Sequence, residues 1–140
     1  MGPIGRYPGR KVPLQIAFLL YPGVTALDVV GSWEVLSRMP DTEIRFVGKE
    51  AGPVMSEGDA LLLGAAYTLT ETLSPDIVVV PGGLTTPRQM VDDEVLAWLR
   101  KVHQTTIWTI SVCTGALILA WTIACLSTSV DSFPKLPGGA

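Results

Sequence analysis

Between Thr105 and Ala120 the chain reads TTIWTISVCTGALILA. The first half, Thr106–Val112, is β-branched and aromatic, the composition of a buried strand. The second half, Thr114–Ala120, is a helical run of Ala, Leu and Ile. Cys113 stands at the join, flanked by small residues in the pattern Ser111-x-Cys113-x-Gly115. A tight strand-to-helix turn needs small residues there, because the backbone approaches itself closely. Such a turn presents its central side chain at the carboxyl end of a sheet and the start of a helix. Helix-start N–H groups would stabilise a thiolate at that position. A buried, unreactive free cysteine is the competing reading of the same residue.

The rest of the composition narrows the class. A chain of 140 residues makes one modest domain. With 48% of it apolar and 16% charged, it buries a core and is not disordered. A net charge of -3, with no Lys/Arg cluster, argues against a nucleic-acid footprint. Cys113 and Cys125 both lie in apolar surroundings, which favours reduced thiols and a cytoplasmic setting over a disulfide framework. Met1–Arg10 lacks the apolar segment of a secretory signal, so residues 1–11 read as a flexible lead-in. Thr105–Val130 carries one charge-free run long enough to cross a bilayer. Its Thr and Ser content, Gly115 and β-branched start favour a buried strand and helix instead, and no membrane association is expected.

Upstream, Val12–Leu20 is a near-continuous apolar run, as in a strand covered on both faces of a parallel sheet. Tyr21-Pro22-Gly23 turns the chain. Thr25–Met39 predicts a helix with Leu27, Val30, Trp33, Leu36 and Met39 as its apolar stripe and Gly31 permitting close packing. Thr25 is the expected N-cap, with Asp28 in the place of a capping-box acid. Glu43–Lys49 alternates as an edge-side strand, Ala51–Ala66 reads as a small β excursion, and Thr68–Ser74 as a polar connection of one helical turn. Ile77–Val80 is the strongest strand signal, closed by Pro81-Gly82-Gly83. Pro87–Gln104 predicts one amphipathic helix, with Met90/Val91, Val95, Leu96, Leu99 and Val102 inward and Asp92, Asp93, Arg100 and Lys101 outward. Strands alternating with helices imply an α/β, doubly wound parallel sheet.

That topology sorts the chemistry. Asp28 follows the first strand and Cys113 the last, so both lie at the carboxyl edge, where ligands bind in open α/β sheets. The consecutive glycines Gly82 and Gly83 lie at the same edge, and their N–H groups are an oxyanion candidate. An ordinary first-turn acid and an ordinary Gly-rich turn are the plain alternatives. His103, the only histidine, ends a helix one strand before Cys113 and so falls at the opposite edge. A Cys-His pair is therefore rejected.

Three segments coincide with a known pattern: YPGVTALDVVGSWEVL at 21–36, VVVPGG at 78–83 and SVCTG at 111–115. Together they resemble the ThiJ/PfpI superfamily of flavodoxin-like proteins with a cysteine elbow, and within it the isocyanide (isonitrile) hydratase branch. The Leu-Asp-x-x-Gly segment and the Cys-Thr-Gly elbow separate that branch from the protease-like members, which carry Cys-His. The resemblance implies a lyase in which Cys113 attacks the isocyanide carbon, Asp28 hydrogen-bonds the sulfur and moves a proton, and Thr114 positions water or the intermediate. Backbone N–H groups at the Gly82-Gly83 turn and at Thr114 would hold developing charge. It implies a small-molecule substrate, no metal or organic cofactor, and a homodimer. The same signature occurs in the amidase-like front domain of AraC-type transcription regulators, so a non-catalytic ligand-sensing domain is the alternative.

The resemblance covers 12–120. Residues 121–140 diverge from the family pattern and end Pro/Gly-rich. They read as an extension of the elbow helix over Trp121–Leu126 followed by a disordered tail, on a family domain cut short at its C-terminus. A domain missing about a third of its expected length would expose core surface, aggregate or self-associate, and stand to lose a net stability of about 5–15 kcal/mol. It would also stand to lose the family's activity.

Overall fold

The structure, a computed structural model, describes residues 12–124. The lead-in over 1–11, Cys125 and the tail beyond it lie outside the described residues. Seven strands and four helices follow in order: β1 (Leu14–Leu19), α1 (Ala26–Leu36), β2 (Thr42–Gly48), β3 (Gly52–Met55), β4 (Leu62–Ala65), β5 (Tyr67–Thr68), β6 (Ile77–Val80), α2 (Thr86–Gln89), α3 (Asp93–His103), β7 (Trp108–Ser111) and α4 (Gly115–Ala124). A single 3-10 turn, Leu69–Glu71, supplies the helical turn expected after Thr68.

The main sheet runs β5-β2-β1-β6-β7 and is parallel throughout. Its core is the pair of strands that read as unbroken apolar runs. Ile16 pairs with Ile44 on one side and Ile77 on the other. Every residue of β6 is buried, because a parallel strand covered on both faces has no solvent side to alternate with. From β1 the chain steps outward to β2, and from β6 outward in the opposite sense to β7. Right-handed crossovers therefore put α1 and α3 on opposite faces, giving the flavodoxin-like α/β fold. Strand β2 is nearly an edge, since β5 covers only Val47 and Gly48. The β excursion is an antiparallel hairpin, β3–β4, outside the main sheet. No helix among the described residues is long and apolar enough to cross a membrane; the described part of the charge-free stretch, 105–124, is divided between β7 and α4, and neither is fully buried as expected, with Trp108, Leu117 and Ile123 exposed.

Four local expectations are corrected. Helix α1 packs through Val29, with Trp33 and Leu36 beside it, whereas Leu27 is 76% exposed. The segment ALDVVGSWEVL is apolar almost all round, so periodicity alone does not choose between the Leu27–Val30 face and the Val29–Trp33–Leu36 face. Gly31 serves no close packing: a methyl there would meet only Leu27 Cδ1, at 4.0 Å.

The predicted helix Pro87–Gln104 is two helices. The Asp92 carboxylate turns back to accept from the amides of Glu94 and Val95, which caps α3 and ends the previous helix short of it. Asp92 also pairs with Lys49 at 2.8 Å, and Val91, left between the helices, is exposed. Helix α3 then buries Val95, Leu96, Trp98, Leu99 and Val102, and the Trp98 indole N–H donates to Thr72 O at 2.8 Å. Burying side chains of this size contributes about 1.5–3 kcal/mol each.

Finally, Thr25 caps α1 through its backbone alone. Its hydroxyl donates to Glu57 at 3.0 Å, and Asp28 is engaged elsewhere, so no capping box forms.

Candidate active site

The turns after β1, β6 and β7 meet at the carboxyl edge of the sheet, and backbone hydrogen bonds hold them together. Thr25 N donates to Gly82 O at 2.8 Å, Leu84 N to Gly23 O at 3.1 Å, and Val112 N to Val80 O at 3.0 Å. This contact demands glycine. A Cβ on Gly83 would collide with Gly23 O and stand 2.8 Å from Val24 Cα, and one on Gly115 would collide with Val80 O. Consecutive glycines thus serve close approach of three chain segments.

Cys113 sits on this platform with φ of +53°. Among the described residues only Asp41 and Asp59 share that left-handed conformation without being glycine. Aspartate tolerates it in turns, whereas cysteine holds it only where the surroundings enforce it. The enforcement is visible. Gly115 N donates to Val112 O at 3.0 Å across the turn, and α4 starts immediately after. Cys113 is exposed and so is not a buried core cysteine.

Asp28, on the first turn of α1, reaches across to the β6 turn, where its Oδ2 accepts from Gly82 N at 3.1 Å. Thr114 Oγ1 accepts from Gly83 N at 3.2 Å and lies 2.9 Å from Thr86 Oγ1. Both glycine amides expected to face an oxyanion are therefore engaged by protein oxygens: Gly82 orients the acid and Gly83 the hydroxyl. The amides of Cys113 and Thr114, ahead of α4, have no hydrogen-bond partner among the described residues. His103 is remote in role, its Nδ1 2.8 Å from Thr109 Oγ1 beside the start of β7. No group of three or more His, Cys, Asp or Glu side chains among the described residues could hold a metal ion.

Three comparisons bear on this chain. The family model described as the DJ-1/PfpI family matches residues 14–137. The chain belongs to the DJ-1/PfpI family. The match continues past Ala120, where the resemblance quoted above ends. Isonitrile hydratase of Pseudomonas putida is 37% identical over 106 residues, 76% of this chain and 46% of that protein. A solved ThiJ/PfpI family protein from Pseudomonas syringae superposes with a TM-score of 0.74 at 31% identity, covering 81% of this chain and 49% of that one. Drosophila melanogaster DJ-1beta shares the fold, with a TM-score of 0.70 at 20% identity over 79% of this chain and 61% of its own. The chain spans about half the length of the hydratase and of the Pseudomonas syringae protein.

Three residues at this DJ-1/PfpI site are not singled out as site residues by the sequence. Tyr21 is buried directly after β1, and its hydroxyl donates to Pro81 O at 2.7 Å. Burial pushes its phenol up to about 12; a hydrogen bond from Thr86 opposes that, and the charges of Asp28, Cys113 and Glu57 add to it. Glu57 comes from the β3–β4 connection, and Thr86 from α2. A cavity of about 380 Å³ opens beside Tyr21 at the ends of β1 and β2, lined also by Lys49, Gln89 and Asp92. Asp28, Cys113 and Thr114 do not line it.

Proposed function

We propose that the Cys113 site adds water to an isocyanide and releases an N-formamide. One observation carries the reading: acid and hydroxyl converge on the turn that faces the cysteine elbow. The position a Cβ would take on Gly82 lies 2.5 Å from Thr114 Oγ1 and 3.1 Å from Asp28 Oδ2. Similarity to an isonitrile hydratase supports isocyanides as the substrate class.

In this reading the Cys113 sulfur attacks the terminal carbon of R–N≡C while the thiol's proton, relayed through Asp28, is delivered to that carbon. The product is a thioimidate, R–N=CH–S–Cys113. Water then adds to the same carbon, one of its protons passing to nitrogen, to give R–NH–CH(OH)–S–Cys113. Collapse breaks the C–S bond, returns a proton to sulfur and leaves R–NH–CHO, so one water is consumed per isocyanide. Asp28 Oδ2 is held by Gly82, while Oδ1 has no partner among the described residues and is the oxygen that exchanges protons. The start of α4 stabilises negative charge on the sulfur.

The test is direct. The chain is incubated with an aryl isocyanide in H₂¹⁸O, and the N-formamide is followed by mass spectrometry. Formamide carrying the label, abolished in Cys113→Ala, supports hydration. Saturable binding without formamide would instead favour the ligand-sensing alternative and sink the hydratase reading.

A further inference from the structure

We infer that Thr86 is a positioning residue that makes the Thr114 hydroxyl a pure hydrogen-bond acceptor toward the attacking water. The inference rests on the hydration reading above and adds a residue and a direction to it.

The direction follows from proton accounting. Each threonine hydroxyl has one proton and two lone pairs. Gly83 O can only accept, and Thr86 Oγ1 donates to it at 2.8 Å. Gly83 N can only donate, and Thr114 Oγ1 accepts from it at 3.2 Å. The 2.9 Å contact between the two hydroxyls needs one proton, and Thr86 has already placed its own, so Thr114 is the donor. The bonds close a ring that starts at the Gly83 amide, runs through Thr114 and Thr86, and returns to the Gly83 carbonyl.

Tyr21 does not disturb this. Its proton goes to Pro81 O, so its oxygen can only offer Thr86 a second acceptor. Whichever acceptor Thr86 uses, its proton points away from Thr114. Thr86 itself is 2% exposed, so no water enters on its side of the contact, and the Thr86 oxygen is the acceptor that faces the Thr114 proton inside the protein.

What remains at Thr114 is one lone pair, on an exposed residue next to Cys113. A substrate oxyanion would need a donor there and finds none. A water needs an acceptor for one O–H while its own lone pair addresses the thioimidate carbon, and this is what the site supplies. Thr86 thus acts on the second half of the reaction, through Thr114.

The experiment compares wild type, Thr86→Val and Thr86→Ser. Formamide production gives kcat and KM, three-bond couplings give the Thr114 χ1 rotamer, and hydrogen exchange reports the Gly83 amide. In Thr86→Val we expect kcat to fall about ten- to a hundredfold with KM changed less than about twofold. Thr114 χ1 becomes averaged and Gly83 exchange rises about tenfold. Thr86→Ser keeps the hydroxyl and should restore all of these. Equal losses in the Val and Ser variants would show that keeping the hydroxyl does not preserve the effect and would overturn the inference. A single Thr114 rotamer with wild-type Gly83 exchange in Thr86→Val would overturn it too. If wild type makes no formamide, the hydration reading fails by itself, and the rotamer and exchange measurements still decide the ring.

Discussion

The carboxylate of Asp28 accepts from the amide of Gly82 at 3.1 Å, across 54 residues of chain. The bond fixes one carboxylate oxygen and leaves the other for proton exchange. Asp28→Asn keeps an acceptor for Gly82 but cannot move a proton as a carboxyl can. Its stability should stay within about 0.5 kcal/mol of wild type while formamide production falls about 10²- to 10⁴-fold. Asp28→Ala also strands the buried Gly82 amide and should cost about 1–3 kcal/mol. Denaturant melts and formamide assays on both variants check the separation. Equal stability losses in the two would show that the Gly82 bond is immaterial.

Cys113 at φ of +53° is held against its own preference. Cys113→Gly should raise stability by about 1 kcal/mol and Cys113→Val lower it by about 1–2 kcal/mol, because glycine alone escapes the Cβ clash and a β-branched residue suffers it most. Activity is lost in both. Urea midpoints in the order Gly, Cys, Val are the expected result; any other order refutes stored strain at the elbow.

Glycines in this chain separate into two kinds. Gly115→Ala and Gly83→Ala drive a methyl into backbone at Val80 and Gly23 and should each cost about 3 kcal/mol or more. Gly31→Ala meets open space on α1 and should stabilise by about 0.5–1 kcal/mol. Thermal melts of the three variants measure both signs at once.

Tyr21 predicts an alkaline weakness. Its folded-state phenol titrates near 12, above the unfolded value of about 10. A raised value means that folding favours the protonated form. That contribution is therefore complete below pH about 10 and is lost as the pH rises towards 12. Tyr21→Phe should flatten the stability profile in that window and cost about 1 kcal/mol at neutral pH through the orphaned Pro81 carbonyl. An unchanged alkaline limb would refute the assignment.

The parts of the fold written into local pattern were legible from the chain. Ile77–Val80 was legible because four consecutive β-branched residues between prolines are too short for a helix and suit a strand covered on both faces. The elbow at Cys113 announced itself through Ser111 and Gly115. What local pattern cannot carry was misplaced. Asp92 reads as one more polar residue on a helix face until its carboxylate turns inward to cap α3. The buried face of α1 is decided by the sheet, since its sequence is apolar on nearly every side. At the site, Cys113, Asp28 and Thr114 could be named from motif resemblance. Glu57 and Thr86 could not, because their partners lie 32 and 28 residues away and no motif links them; Tyr21 lies in a quoted motif, but nothing local shows that its hydroxyl reaches Pro81, 60 residues away.

The lacing of three turns by those bonds has a kinetic meaning. Asp28, Gly82 and Thr114 belong to chain segments that cannot meet until β1, β6 and β7 stand side by side, so the site is finished only when those three strands are. The exposed thiol at Cys113 therefore doubles as a clock. The moment at which its reactivity departs from that of an unstructured cysteine would time the meeting of β1, β6 and β7, readable by a stopped-flow alkylation pulse without any spectroscopic label.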